Sequence, residues 1–382
     1  MAHDTVSPSP SGPLTGLVST GSGAAEPATV TDSLVAGGPR PPRVGVVVLN
    51  WRNHAASARC LRSLASATWP NLRVVLVDNA SGDGSLERLR DEFEHRGVIC
   101  LANPENLGFA AGCNPGIVRA LEDGCDYILL LNNDCVVHAP GFLEPAVALA
   151  QGDPTIGIVG GKILFWPHSS MIWSTGGFIG WWGAERHIGH GAIDCGQYDR
   201  VTERSFISGA LMLVRRAVIE RIGLLPEAYF FGKEEWEYST RARRSGFRLM
   251  YHPAFSVCHE ASNSHEWTDP TYVYNGTLSR ILYQRRNRSR FAYHAWRTAF
   301  AAYLRWGLAA RHAFARDTFL RGVPLAVIRK AMLEGLRDSE GLDRVTRATL
   351  DAFRARHPEW MRGPAASSAV AQESKPIATH SR

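Results

Sequence analysis

Tyr127-Ile128-Leu129-Leu130-Leu131-Asn132-Asn133-Asp134 is an apolar run that ends abruptly in amide and carboxylate side chains. A run of this kind reads as a buried strand delivering oxygen ligands to its C-terminal end, the edge of an open α/β sheet where ligands bind. Side chains at i and i+2 leave a strand on the same side, so Asn132 and Asp134 can face one hard cation or one ribose together. An Asn-Asn-Asp turn that merely ends a strand fits the stretch equally well, and the flanking sequence decides between the two.

Upstream, Val44–Leu49 is a β-branched run short enough for a strand, and Asn50-Trp51-Arg52-Asn53 follows as a loop. Ala55–Ala67 predicts a helix with Ala58, Leu61 and Leu64 on one face, broken by Trp69-Pro70-Asn71. Leu72–Val77 predicts a second strand closing on Asp78-Asn79, Ser85–His95 a helix, Val98–Leu101 a strand, and the segment after Gly108 a helix through Leu121. Strands alternating with helices over short loops imply an α/β fold with a parallel sheet and right-handed crossovers. Three of these strands end in Asn50, Asp78 and Asp134, all at one sheet edge. Asp78 suits a ribose hydroxyl or a pyrimidine imide N–H. A dinucleotide-binding turn would need Gly-x-Gly-x-x-Gly after the first strand, where Asn50-Trp51-Arg52-Asn53 stands instead. Gly108 and Gly112 allow close backbone approach, to a ligand or in helix–sheet packing.

The ordered series Val47-Val48-Leu49-Asn50, Val77-Asp78-Asn79-Ala80-Ser81, Asn106 to Asn114, Leu131-Asn132-Asn133-Asp134, Phe206 to Ala210 and Tyr229 to Glu237 resembles glycosyltransferase family 2, in its bacterial rhamnosyltransferase-like branch. The likeness covers roughly Arg43 to Asn287. It implies a GT-A fold, a nucleotide-sugar donor, a divalent cation (Mg²⁺ or Mn²⁺) and inversion at the anomeric carbon. On this resemblance Asn50, Asp78, Asn79, Gly108, Asn132 and Asn133 belong to the nucleotide-sugar site. Asp134 becomes the direct metal ligand, and Asn132 replaces the first Asp of the family's Asp-x-Asp. His259 takes the place of a His that completes the metal or diphosphate site, although a lone His is also a common structural residue. Glu234-Glu235 stands where the family has Glu-Asp, which makes Glu235 the candidate base, one methylene longer than usual. Glu234, Glu235 and Glu237 also read as helix-start acids favouring the macrodipole, or as an ion-pair ladder with Arg241, Arg243 and Arg244.

At 382 residues, 45% hydrophobic and 20% charged, the chain can bury one large α/β core and a helical appendage. The expected division is a disordered extension over 1–42, a GT-A domain over 43–277, a basic amphipathic helical region over 278–362 and a disordered tail over 363–382. The extension has no basic n-region before an apolar core, so no signal peptide is expected. Seven cysteines without a Cys-x-x-Cys pair predict reduced thiols and a cytoplasmic setting. Residues 163–184 carry no Asp, Glu, Lys or Arg, yet Pro167, His168, three serines and four glycines make them a poor membrane span. The tryptophans of residues 161–204 read as acceptor-side strands and loops, or as ordinary core.

The net charge of +6 traces to the C-terminal third, where Arg285, Arg286, Arg288 and Arg290 lie beside Trp296, Phe300, Tyr303 and Leu304 at helical spacing. A basic amphipathic helix fits anionic lipid at the inner face of the cytoplasmic membrane, or packing on the catalytic domain. The expected partners are a nucleotide-sugar donor, a glycan or lipid-linked saccharide acceptor and a membrane surface; no nucleic-acid recognition module is present. Alternatives are a UDP-hexose donor, or a relative that binds nucleotide-sugar or glycan without catalysis.

Overall fold

The computed structural model describes residues 40–167, 170–183, 185–260, 270–307 and 324–361. All but the last residues of the 1–42 extension, and the whole 363–382 tail, lie outside the described residues. From Pro41 the chain forms one compact unit.

Its first half alternates β1 (Val44–Asn50), α1 (His54–Leu64), β2 (Leu72–Asp78), α2 (Ser85–Phe93), β3 (Ile99–Ala102), α3 (Phe109–Glu122) and β4 (Tyr127–Leu131). Next come β5 (Cys135–Val136), α4 (Glu144–Gly152), β6 (Ile156–Phe165), and the short strands β7 (Ile172–Ser174), β8 (Gly177–Ile179), β9 (Glu185–His187) and β10 (Thr202–Glu203). Then follow β11 (Leu211–Arg215), α5 (Arg216–Ile222), α6 (Glu234–Arg244) and β12 (Arg248–His259). Helices α7 (Pro270–Asn287), α8 (Arg290–Ala302), α9 (Leu325–Asp338), α10 (Arg347–Arg356) and α11 (Pro358–Met361) complete the described chain.

The main sheet runs β10-β12-β6-β11-β4-β1-β2-β3. Strands β4, β1, β2 and β3 are parallel, as the alternation of strands and helices predicts. Beyond them β11 inserts antiparallel between β4 and β6. The central strands are apolar throughout because both faces are covered. Val44, Val46, Val48, Leu129 and Leu131 face α1, α2 and α4 on one side. Val47, Ile128 and Leu130 face α3, α5 and α6 on the other, as the period-2 alternation of a strand requires. Gly116 of α3 lets that helix lie directly on the sheet, since a Cβ there would sit 2.8 Å from Val47 and Val77.

The apolar stripe of α8 meets protein. Trp296, Phe300 and Leu304 are buried with Ile281 of α7 and Leu336 of α9, so this face is not available to lipid. The alternative reading of packing on the rest of the chain accounts for it. Helix α7 runs unbroken across residues 277 and 278 and packs Tyr283 edge-on against Trp236 of α6, with ring centroids 5.5 Å apart. Among the described residues no helix is long and apolar enough to cross a membrane. All seven cysteines are free.

Candidate active site

The parallel pairing of β1 with β2 sets Asn50 opposite Asp78, and β4 lies on the other side of β1. The three strand ends therefore meet at one edge. A cleft of about 110 Å³ opens there, lined by Asn79, Gly108, Asn132, Asn133 and Asp134 together with Leu49, Trp51, Asn53, Asn106, Phe109, Phe230 and Phe231.

Its floor is polar and buried. Asp134 and His259 are 2% and 5% exposed, and His259 Nε2 lies 2.9 Å from Asp134 Oδ1. They are 125 residues apart in sequence; the antiparallel pairing of His259 with Cys135 across β12 and β5 joins them. Pro253, which has no N–H to donate, sits in the bulge between His252 and Ser256 that lets β12 continue to that point. Trp173 packs edge-on against the His259 ring at 4.7 Å. Asn132 Oδ1 and His259 Nδ1 are buried without a hydrogen-bond partner among the described residues, and a buried polar atom left so is costly unless a further group is bound.

Asp134 and His259 make a donor pair of carboxylate and imidazole that suits Mn²⁺ and, with water, Mg²⁺, and the Asn132 amide lies beside them with its Nδ2 3.4 Å from His259 Nε2. Cys135 Sγ lies within 4.8 Å of the Asp134 and His259 donor atoms. Burial, and then the charge of Asp134, push its thiol well above the usual range.

Asn50 and Asp78 lie behind the cleft wall. Asn50 Nδ2 donates to Asp78 Oδ1 at 2.7 Å, and Asn50 Oδ1 accepts from Ser57 at 2.6 Å. Both Asp78 oxygens are engaged by Ser81, whose N–H and hydroxyl donate at 2.9 and 2.6 Å. Asn79 is the cleft's internal brace. Its Nδ2 donates to Asn106 Oδ1 and the Gly108 carbonyl, and its Oδ1 accepts from Asn103 and the Leu107 N–H, all within 2.9–3.1 Å. That amide fixes the loop leading to Gly108, whose φ of +82° and missing Cβ let Phe109 N–H reach the Phe230 carbonyl at 2.8 Å. A Cβ on Gly108 would stand 2.1 Å from that oxygen, whereas one on Gly112 would meet only the Asn79 and Leu49 side chains at 3.1 Å. Gly108 thus serves backbone approach and Gly112 packing.

From Phe230-Phe231 the chain turns through Gly232 and Lys233, at φ +79° and +86°, into α6. The acids at its start have separate surroundings. Glu237 accepts from Tyr229 at 2.6 Å and takes a bidentate pair from Arg286, which makes it structural. Glu234 is 5% exposed, and burial, then the charge of Glu235, push its carboxyl well above the usual range. Glu235 is half-buried. The expected ladder along α6 does not form: Arg241 donates to the Ile222 carbonyl and Arg244 to Asn287.

Sequence reasoning did not single out Trp51, Asn53, Asn106, Phe109, Phe230 or Phe231 as site residues. The first two immediately follow a strand end, a positional signal that could have marked them. Arg347, at the start of α10, lies over the Trp51 ring at 5.9 Å, a contact that no local pattern announces.

The model of the family described as glycosyltransferase like family 2 matches residues 41–292. The chain is 24% identical over 237 residues to the uncharacterized protein y4gI of Sinorhizobium fredii, covering 58% of this chain and only a quarter (25%) of that protein's length. It is 25% identical over 224 residues to the N-acetylglucosaminyl-diphospho-decaprenol L-rhamnosyltransferase of Mycobacterium tuberculosis, covering 54% of this chain and 72% of the relative. Among solved structures, the mannosyltransferase PcManGT of Pyrobaculum calidifontis, in complex with GDP-Man and Mn²⁺, superposes with a TM-score of 0.47 at 18% identity. That superposition covers 85% of this chain and 89% of the mannosyltransferase.

Proposed function

The chain belongs to glycosyltransferase-like family 2, and from that premise we propose that it transfers a sugar, with inversion, from a nucleotide-sugar donor to a hydroxyl of a lipid-linked or cell-surface glycan. The donor in this reading is dTDP-rhamnose; the name of the mycobacterial relative supports the sugar, L-rhamnose. The observation that carries the proposal is the buried Asn132–Asp134–His259 group on the floor of the cleft at the strand ends.

In this reading the donor lies in the cleft, with its sugar and base against the flat faces of Trp51 and Phe109. Asn133, which donates to Ser57 at 2.9 Å, and the loop braced by Asn79 shape the nucleotide end. Asn50 and Asp78 hold the β1 and β2 ends in place through their shared network. A divalent cation held by Asp134 and His259 Nε2 would supply Lewis-acid neutralisation of the leaving diphosphate. Glu235 removes the proton from the acceptor hydroxyl as it attacks opposite the departing group. Burial disfavours ionisation of Glu234, so the role of base is assigned to the more accessible Glu235. We assign this chemistry to residues 43–277, with the helices beyond as support. A lipid-linked acceptor would bring the protein to the inner face of the cytoplasmic membrane.

The test is turnover of dTDP-rhamnose on a synthetic N-acetylglucosaminyl-diphospholipid. Glu235→Gln is expected to keep donor affinity and lower turnover by about 10²–10⁴-fold, as for loss of a positioned base. Near-wild-type turnover in the variant would remove Glu235 from that role. Turnover of a UDP-hexose, with dTDP-rhamnose inert, would reassign the donor.

A further inference from the structure

A second groove lies at the opposite end of α6 from the catalytic acids. Arg243 follows Glu234 by nine residues, about 14 Å along a helix rising 1.5 Å per residue. The groove is bounded by the 179–181 loop and the C-terminal turns of α6 and α7. Arg243, Arg244 and Arg288 line it, and among the described residues no carboxylate does.

Elsewhere some arginines pair with acids, Arg286 with Glu237 and Arg248 with Asp153 and Glu203, and others cap a carbonyl singly, as Arg241 does at Ile222. In the groove the partners are neutral. Arg244 donates to Asn287 Oδ1 at 3.2 Å and to the Asn287 carbonyl at 2.7 Å. Arg288 donates to Gln284 Oε1 and the Trp181 carbonyl. Its guanidinium lies 5.0 Å from the centre of the Trp181 ring, which is 63% exposed. Arg243 has neither an ion pair nor a hydrogen bond among the described residues. Helix C-termini favour cations, which explains Arg244 on the Asn287 carbonyl. It does not explain three positive charges lining one concavity, two of them, Arg244 and Arg288, with their fork geometry set by amides and carbonyls. Neutral acceptors orient a guanidinium without cancelling its charge, and a bidentate anion site requires both.

We propose that this groove is a second anion-binding site that takes a phosphate ester or diphosphate, with the ligand's apolar or sugar portion against Trp181. It stands independently of the donor reading, because no residue is shared with the cleft at the strand ends. The phosphoryl group can come from a membrane lipid headgroup or from a soluble phosphate ester.

The probe is inorganic pyrophosphate, titrated calorimetrically into the full chain with EDTA present at low salt. Arg243→Gln is expected to weaken binding about five-fold, the loss of one charge-assisted contact, while Asp134→Asn leaves it unchanged. Arg243→Lys, which keeps the charge, is expected to retain most of the affinity and guards against a folding artefact. Co-sedimentation with phosphatidylcholine vesicles, with and without phosphatidylglycerol, separates the sources. Sedimentation that needs phosphatidylglycerol and is lost in Arg243→Gln assigns the headgroup; pyrophosphate binding without it assigns a soluble ester. Equal pyrophosphate affinity in wild type and Arg243→Gln, or loss of affinity in Asp134→Asn alone, would overturn the proposal.

Discussion

Adding one methyl group at Gly108 should do more damage than its size suggests. The residue sits at φ +82° and ψ −168°, a region open essentially to glycine, where another residue costs about 1–3 kcal/mol. The new Cβ would stand 2.1 Å from the Phe230 carbonyl oxygen, with the Phe230 carbonyl carbon at 2.8 Å. Backbone cannot swing aside as a side chain can, so relief of the clash adds about 1–3 kcal/mol. The displaced segment also loses the Phe109–Phe230 hydrogen bond, worth about 1 kcal/mol. Gly108→Ala is therefore expected to cost about 3–7 kcal/mol, a large share of the roughly 5–15 kcal/mol that holds a domain together. In urea unfolding at an m-value near 3 kcal/mol/M, the midpoint should fall by about 1–2 M. Gly112→Ala is the control: its Cβ meets the Asn79 and Leu49 side chains at 3.1 Å, contacts that a few tenths of an ångström relieve without moving backbone, and a helix-propensity gain of about 1 kcal/mol offsets part of that crowding. Equal midpoints for the two variants would refute the assignment of Gly108 to backbone approach.

Two further outcomes follow from the same geometry. Asn79→Ala removes four hydrogen bonds that tie Asn103 and the 106–108 loop to β2, and should cost about 2–4 kcal/mol in urea unfolding; a loss below about 0.5 kcal/mol would mean that the loop holds itself. Glu234 binds its proton more tightly folded than unfolded, so its contribution is complete at low pH and is lost as pH rises above the ordinary value of 4.5 toward the raised folded one. Glu234→Gln should accordingly flatten the fall in melting temperature from acid to alkaline pH, and an unchanged slope would contradict the burial argument.

The parallel half of the sheet was legible because its signals are local: short β-branched runs, helical spacing and polar strand ends. The meeting of Asn132 and Asp134 in one cleft followed from the same logic. Asn50 and Asp78 were harder to place. Residue type alone cannot distinguish a carboxylate aimed at ligand from one whose oxygens are taken by Asn50 and Ser81. The α8 stripe shows a related limit, since an amphipathic face announces that something covers it without saying what; here α7 and α9 do. His259 beside Asp134, and Arg347 over Trp51, depend on strand register and helix docking across more than a hundred residues, which no periodicity encodes.

Metal-strengthened nucleotide binding at Asp134 is the claim on which the account rests. Calorimetric titration of dTDP, UDP and GDP, each with and without Mn²⁺ or Mg²⁺, into wild type and Asp134→Asn measures it directly. The account predicts that one diphosphate binds, that metal strengthens it in wild type, and that Asp134→Asn removes the strengthening while the protein stays folded. Diphosphate binding that metal does not change, or metal strengthening that survives in Asp134→Asn, would contradict it.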